Sequence, residues 1–276
     1  MSQAGPSEPT DAAEANKAAQ PSDTADTTDT AEPTEAGRTP GAAEAPELRS
    51  RRFRQSIPRP RSAAAGGPAP WTAVLAADRS PISLERVAAA LEPVLASPFE
   101  EPEHRPHASV LVPLFERAGD TNVVLIRRSM FLMSSPGDLA FPGGRLERGE
   151  RAVDAALREA EEEVALDPRS VSVLGRLTVV SRARVHERVV PYVGLLEGEP
   201  ELRREPSEVD AILMVSLSDL AADGVYWEEE WQIPGDAPRL LPFFADEAAL
   251  GDDVLWGMTA VVIRELLSAV LSAPPS

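Results

Sequence analysis

The stretch 142–166, PGGRLERGERAVDAALREAEEEVAL, decides how this chain is read. With about 100° of rotation per residue, Val153, Ala156, Leu157, Ala160 and Val164 fall on one apolar stripe, which predicts a helix from about 150 to 164 packed on a core. Glu159 and Glu163, four residues apart, stack in one column beside that stripe, with Glu162 next to them. Glu161 points to the opposite flank and reads as an ordinary solvated charge.

Three carboxylates crowding one side of a helix repel one another by a few tenths of a kcal/mol per pair, roughly, so something should offset them. A hard divalent cation, Mg²⁺ or Mn²⁺, takes oxygen ligands, neutralises a diphosphate and lowers the pKa of an attacking water. Pro142-Gly143-Gly144, directly ahead of the helix, lets backbone approach a phosphate closely.

Outward from this segment, two apolar stretches at 108–115 and 123–127, separated by turn-forming residues 117–122, predict a strand pair. Further strands are expected at 171–180, 189–195 and 211–215. A helix is expected at 83–95, with Ser80 and Ser83 as possible caps and Leu84, Val87, Leu91 and Val94 on one face. A third helix is expected at 254–271, carrying Trp256 and Thr259 against a sheet. Interleaved strands and helices without a repeating period point to the α/β class, with a mixed sheet between helices.

Residues 1–47 contain no aromatic residue and no Leu, Ile or Val. Such a segment buries too little apolar surface to fold, so residues 1–65 are expected to be a disordered tail and linker, acidic and then arginine-rich, with the folded domain at 71–272. The arginines Arg49, Arg51, Arg52, Arg54, Arg59 and Arg61 either meet an anionic partner, lie against the acidic body or stay solvated. The net charge of −18 argues against nucleic-acid binding. The absence of cysteine excludes disulfides, thiol nucleophiles and Cys-ligated zinc. No apolar run approaches the ~20 residues of a membrane helix, and the start MSQAGPSEPT lacks a signal peptide's regions, so no membrane partner and a cytoplasmic location are expected. His104, His107 and His186 lack metal-ligand spacing and are expected to be structural or solvent-facing. The oligomeric state is not legible.

Gly144, five residues, Glu150, seven residues, then Arg158-Glu159-Ala160-x-Glu162-Glu163-x-Ala165-Leu166 resembles the Nudix box, GX5EX7REUXEEXGU, where U is bulky and apolar. All the charged positions match. Ala165 stands where the family has glycine, and a left-handed cap there costs alanine roughly 1 kcal/mol. The resemblance implies the Nudix fold, an α/β/α sandwich, and hydrolysis of a nucleoside diphosphate linked to another group. It also implies Glu159, Glu162 and Glu163 as ligands of Mg²⁺ or Mn²⁺, Arg158 orienting the glutamates, and Glu150, Gly143 and Gly144 supporting the site.

The flanks narrow the resemblance. Leu125-Ile126-Arg127-Arg128-Ser129-x-x-Leu132, then Gly137-Asp138-Leu139-x-Phe141-Pro142-Gly143-Gly144, is similar to the coenzyme A pyrophosphatase branch. So are Pro191-Tyr192-Val193-Gly194, Glu208-Val209 and the segment 255–260. Ser135, Met133 and Asp138 depart from that branch, where His, Arg and Glu or Gln are usual; the departures bear on the substrate more than on the reaction. The implied reaction cuts coenzyme A, or an acyl form, into 4′-phosphopantetheine and adenosine 3′,5′-bisphosphate. The substrate's phosphates call for guanidinium groups, with Arg127, Arg128 and Arg145 as candidates and Arg182, Arg184 and Arg188 in a later loop. Glu163 or Glu208 would serve as general base, beside Glu162 among the catalytic carboxylates. The alternatives are another nucleoside diphosphate derivative such as ADP-ribose, or a non-catalytic nucleotide-sensing module.

Overall fold

In the computed structural model, which describes residues 52–100, 102–181, 187–232 and 237–272, the elements follow the hydrophobic periodicities of the chain. A two-residue strand β1 (Ala64–Ala65) precedes helix α1 (Leu84–Leu91). The Ser83 hydroxyl accepts from the Arg86 N–H and caps that helix. It ends at Leu91 rather than at 95, because Pro93 lacks the N–H that would continue the ladder.

Strands β2 (Ala108–Arg117) and β3 (Asp120–Arg128) form a hairpin. Its two-residue turn has Ala118 at φ 54° and Gly119 at φ 80°. Positive φ at both positions matches the right-handed twist of the strands, so the turn is shorter than the six residues expected from composition. The two strands pair only from Leu114 to Arg117, next to the turn, and then splay apart. Strand β4 (Leu139–Ala140) pairs with β3, and β5 (Gly143–Arg145) pairs with the start of β2. The splay therefore places Gly143 and Gly144 in the sheet, ahead of helix α2 (Ala152–Val164).

After α2 come β6 (Val171–Arg176), β7 (Val180–Ser181), β8 (Arg188–Leu196) and β9 (Val209–Ser216). β8 runs parallel to β2, whereas β9 runs antiparallel to β3, giving a mixed eight-stranded sheet. Side chains alternate across it. Leu111, Phe115, Val124 and Tyr192 pack with Val153, Ala156, Ala160 and Val164 of α2. Val112, Leu114, Leu125 and Val193 pack on the other side, with Val87 and Leu91 of α1 and with the C-terminal helix described next.

The remaining elements are helix α3 (Leu217–Leu220), β10 (Tyr226–Trp231), β11 (Arg239–Phe244), helix α4 (Glu247–Leu250), β12 (Leu255–Trp256) and helix α5 (Gly257–Ser272). With α2 on one face and α1 and α5 on the other, the expected α/β/α sandwich is found. Trp256, expected on the last helix, sits instead on β12 and pairs with Phe243.

A second sheet, β1-β10-β11-β12, was not foreseen. Its strand Tyr226–Trp231 carries three consecutive glutamates and reads as charged, yet it is held by aromatic contact. Trp227 stacks on Phe243 with 5.1 Å between ring centroids, and Phe243 on Trp256 with 6.5 Å.

Residues 52–65, placed by composition in the tail and linker, pack on this sheet, which corrects the expectation for that stretch. Phe53 stacks on Trp227 at 6.1 Å, Ala64 and Ala65 pair with Glu230 and Glu229, and Arg59 Nε donates to Glu229 Oε2 at 2.8 Å. The reason is local: Phe53 and Ile57 bring apolar surface to an otherwise polar segment. Residues 1–51, with Arg49 and Arg51, lie outside the described residues, as do Arg182, Arg184 and His186. No helix among the described residues is long and apolar enough to cross a membrane.

Candidate active site

Helix α2 reaches the site by burying its alanine-rich stripe. Small side chains let it lie close to β2 and β5, so Glu159 and Glu163 beside the stripe end at the sheet, whereas Glu162 faces solvent. Glu163 is only 2% exposed. Its Oε2 accepts the Gly143 N–H at 2.9 Å, and Arg128 Nη1 stands 3.9 Å from its Oε1. Burial pushes the Glu163 carboxyl up to about 8; the Gly143 bond and Arg128 oppose the rise, and the charges of Glu159 and Glu208 add to it.

Glu159 is half-buried and raised for the same first reason, burial, with Arg158 opposing and Glu162 and Glu208 adding. Gly144 makes room for it. A Cβ on Gly144 would stand 2.4 Å from the Glu159 carboxyl, so any other residue there would push the side chain away. Gly143 is equally constrained, since a Cβ would meet the Ser109 carbonyl at 2.4 Å.

Arg158 organises the group. Its Nε and Nη2 donate to the two oxygens of Glu150 at 2.9 and 3.2 Å, and its Nη1 donates to Glu159 Oε1 and Glu162 Oε2, both at 3.0 Å. Nη2 also donates to the Arg145 carbonyl at 3.1 Å, tying the helix to β5. The Arg158 hydrogen bond is the main cause of the lowered pKa of Glu150. Glu150 thus stays a firm anion and anchors the guanidinium that orients the others. The helix ends as its sequence demands: Ala165 adopts φ 57°, ψ 32°, the left-handed conformation that favours glycine.

Glu208 comes from just before β9, 45 residues after Glu163, and its charge acts on both Glu159 and Glu163. Its carbonyl accepts the Ser129 N–H at 2.8 Å, which fixes the Glu-Val pair beside the end of β3. Glu162 remains mostly exposed, with its side chain 58% accessible. Among the described residues no three acidic or histidine side chains converge on one point, because Arg158 draws Glu159 and Glu162 toward itself. The donor set is nevertheless all oxygen and in excess of its cations, and its crowding is relieved on only one side. That donor chemistry suits a hard divalent ion.

The candidate phosphate-binding arginines separate. Arg128 stays at the carboxylates, with Nε also donating to the Ser134 carbonyl at 3.4 Å. Arg145 is highly exposed and lies 3.7 Å from Glu187. Arg127 does not turn to the site, which corrects its assignment to substrate: its guanidinium forks onto Asp253, with Nε 3.2 and 3.0 Å from the two oxygens and Nη2 closing the pair. Arg188, also proposed for phosphate, donates instead to the Arg105 carbonyl at 2.9 Å. His107 Nδ1 accepts the Arg188 N–H, a structural role.

Sequence reasoning missed the supports behind the loop 129–138. The Trp256 indole donates to Asp138 Oδ1 at 3.1 Å, Thr259 Oγ1 donates to the Leu139 carbonyl at 3.1 Å, and Asp253 gathers Arg127 and Gln55. An isolated Asp or Gln carries no pattern that would announce such a role.

The site is thus a carboxylate-bearing helix tied by one arginine to a glycine-rich strand, on a mixed sheet between helices. The model of the NUDIX domain matches residues 105–235. The uncharacterized Nudix hydrolase NudL of Shigella flexneri serotype 5b is 35% identical over 167 residues, covering 60% of this chain and 83% of that protein. NudL of Escherichia coli K12 is 35% identical over 164 residues, covering 59% and 81%. Among solved structures, a MutT/nudix family protein from Enterococcus faecalis matches with a TM-score of 0.42 and 22% identity, over 63% of this chain and 65% of that one. The chain belongs to the Nudix family of hydrolases, enzymes that cut diphosphate bonds in nucleoside diphosphate derivatives and use divalent metal ions.

Proposed function

We propose that the substrate is coenzyme A or an acyl derivative, cut at its diphosphate to 4′-phosphopantetheine, or its acyl form, and adenosine 3′,5′-bisphosphate. The observation that carries the hydrolytic site is Glu163, a buried carboxyl with one backbone donor, a distant guanidinium and two like charges around it. The choice of coenzyme A is supported by the Arg-Ser-x-x-Leu and Phe-Pro-Gly-Gly pattern leading into β5, and by Glu208-Val209 beside it.

Glu159, Glu162 and Glu163 would hold Mg²⁺ or Mn²⁺, which when bound neutralises the diphosphate and makes its phosphorus electrophilic. The chain's own groups do the rest. Arg158, braced by Glu150, keeps Glu159 and Glu162 turned to one side. Glu163 or Glu208 accepts the proton of the attacking water, and Arg128 and Arg145 grip phosphate oxygens. Gly143 and Gly144 leave the room in which β2 and the Glu159 carboxyl pack against β5.

The test is hydrolysis of coenzyme A, acyl-coenzyme A, ADP-ribose, NADH and a dinucleoside polyphosphate with Mg²⁺ or Mn²⁺, beside Glu163→Gln. Preferred turnover of the coenzyme A compounds, lost in the variant, is expected. Turnover of ADP-ribose alone would overturn the substrate, and binding without turnover of any compound would make the protein a nucleotide-sensing module.

A further inference from the structure

We propose that Gln55 and Asp253 are positioning residues that set the loop 129–138 against the carboxylate site, so that the segment preceding the domain tunes substrate affinity. Gln55 is only 6% exposed, and each of its polar atoms has a partner. Its Nε2 donates to the Gly137 carbonyl at 3.1 Å and to Asp253 Oδ1 at 3.0 Å, and its Oε1 accepts the Val254 N–H at 2.9 Å. Asp253, also buried, takes the fork of Arg127 and lies 3.3 Å from Arg54 Nε. The Arg54 N–H donates to the Asp252 carbonyl at 2.9 Å, which fixes the register of the segment.

Gly137 is where this cluster meets the loop. It sits at φ 74°, its N–H donates to the Arg128 carbonyl at 3.0 Å, and a Cβ there would strike the Met130 sulfur at 2.7 Å. The Arg128 N–H in turn donates to the Asp138 carbonyl at 3.0 Å. The loop is therefore closed on Arg128, whose guanidinium faces Glu163, and its Ser129 N–H holds the Glu208 carbonyl. One end of this chain of bonds is Gln55, and the other is the site. The loop has little apolar anchorage of its own, since Met130, Phe131 and Met133 are all strongly exposed. Its position depends on the polar contacts behind it.

A shift of the loop moves Arg128 relative to the substrate's phosphates while leaving the glutamates of α2 in place. The effect should therefore fall on KM rather than kcat. This kinetic consequence rests on the hydrolase reading above, whereas the structural one does not.

The test uses the full chain with Gln55→Met, which keeps the volume and removes the hydrogen bonds, and with Asp253→Asn. Amide exchange should quicken about tenfold in residues 129–138 and stay unchanged in residues 152–164. KM for coenzyme A should rise about fivefold with kcat held within about twofold. Val87→Ala, in the core of α1, serves as a control for general destabilisation and should not reproduce the local pattern. Unchanged exchange in the loop, an equal rise in residues 152–164, or a fall in kcat at constant KM would each overturn the proposal. If the wild type turns over no coenzyme A compound, the substrate reading fails, and the exchange pattern alone decides this one.

Discussion

Two runs of three glutamates, 161–163 on helix α2 and 228–230 on strand β10, go into the interior, the first with Glu163 and the second with Glu228 and Glu229. The most deeply buried carboxylates of the two runs, Glu163 and Glu229, have opposite chemistry. The Glu229 side chain is inaccessible, and burial alone would raise its pKa. Arg59 at 2.8 Å and the indoles of Trp231 at 2.9 Å and Trp227 at 3.1 Å outweigh burial, and the pKa is lowered. Glu163 is as deeply buried, but it has one N–H, a guanidinium at 3.9 Å and two carboxylates for company, and its pKa is raised. A buried carboxylate met by three donors is held as an anion by the fold; one left with a single close donor is a candidate place for a ligand.

The sharpest way to break this contrast is to make both residues glutamine. Glu163→Gln should lower hydrolysis about 10³-fold, whereas Glu229→Gln should leave the activity of folded molecules unchanged, as measured by steady-state kinetics on each purified variant. Equal losses would erase the distinction. Gly144→Ala should cost about 10²-fold in kcat/KM, because its methyl group displaces the Glu159 carboxyl without touching either glutamate run. Full activity in that variant would mean that Glu159 need not lie where it does.

Glu229→Gln should lose about 2 kcal/mol in denaturant unfolding at neutral pH, a figure reduced for the partial exposure of Arg59. Its pH dependence has a definite sign. The folded pKa lies below the ordinary glutamate value of 4.5, so the stabilisation is fully present above that value and fades as pH falls through the folded pKa. The gap between wild type and variant should close in acid; a gap that widened there would contradict the assignment. The smallest effect is expected from Ala165→Gly, which relieves the left-handed cap and should raise stability by ~1 kcal/mol, seen as a higher Tm with unchanged kinetics.

The sequence made the helical run legible because its carboxylates sit beside an apolar stripe of fixed period and behind a glycine pair. The mixed sheet between helices followed from the interleaved strand and helix patterns, whereas the α/β/α sandwich and the strained cap at Ala165, where that family has glycine, came from the resemblance to the Nudix box. The strand run was opaque. Glu228, Glu229 and Glu230 look solvated until residues far away in sequence, Arg59 and the stacked Trp227, Phe243 and Trp256, are folded around them. Arg127 misled for the same reason. Beside Arg128 it looks like a phosphate ligand, and only the return of Asp253, 126 residues later, shows that its charge is already engaged. Local pattern reveals what a single element presents, whereas partner choice across the fold does not show in it.

The central claim, that Glu163 is left incomplete by the fold and finished by a divalent ion, is tested most directly by unfolding wild type and Glu163→Gln with and without Mn²⁺. In the absence of metal the variant should be at least as stable as wild type, and Mn²⁺ at about 100 times its Kd should stabilise wild type by ~2.7 kcal/mol while leaving the variant nearly unmoved. A variant destabilised without metal, or the same gain from Mn²⁺ in both proteins, would contradict the account.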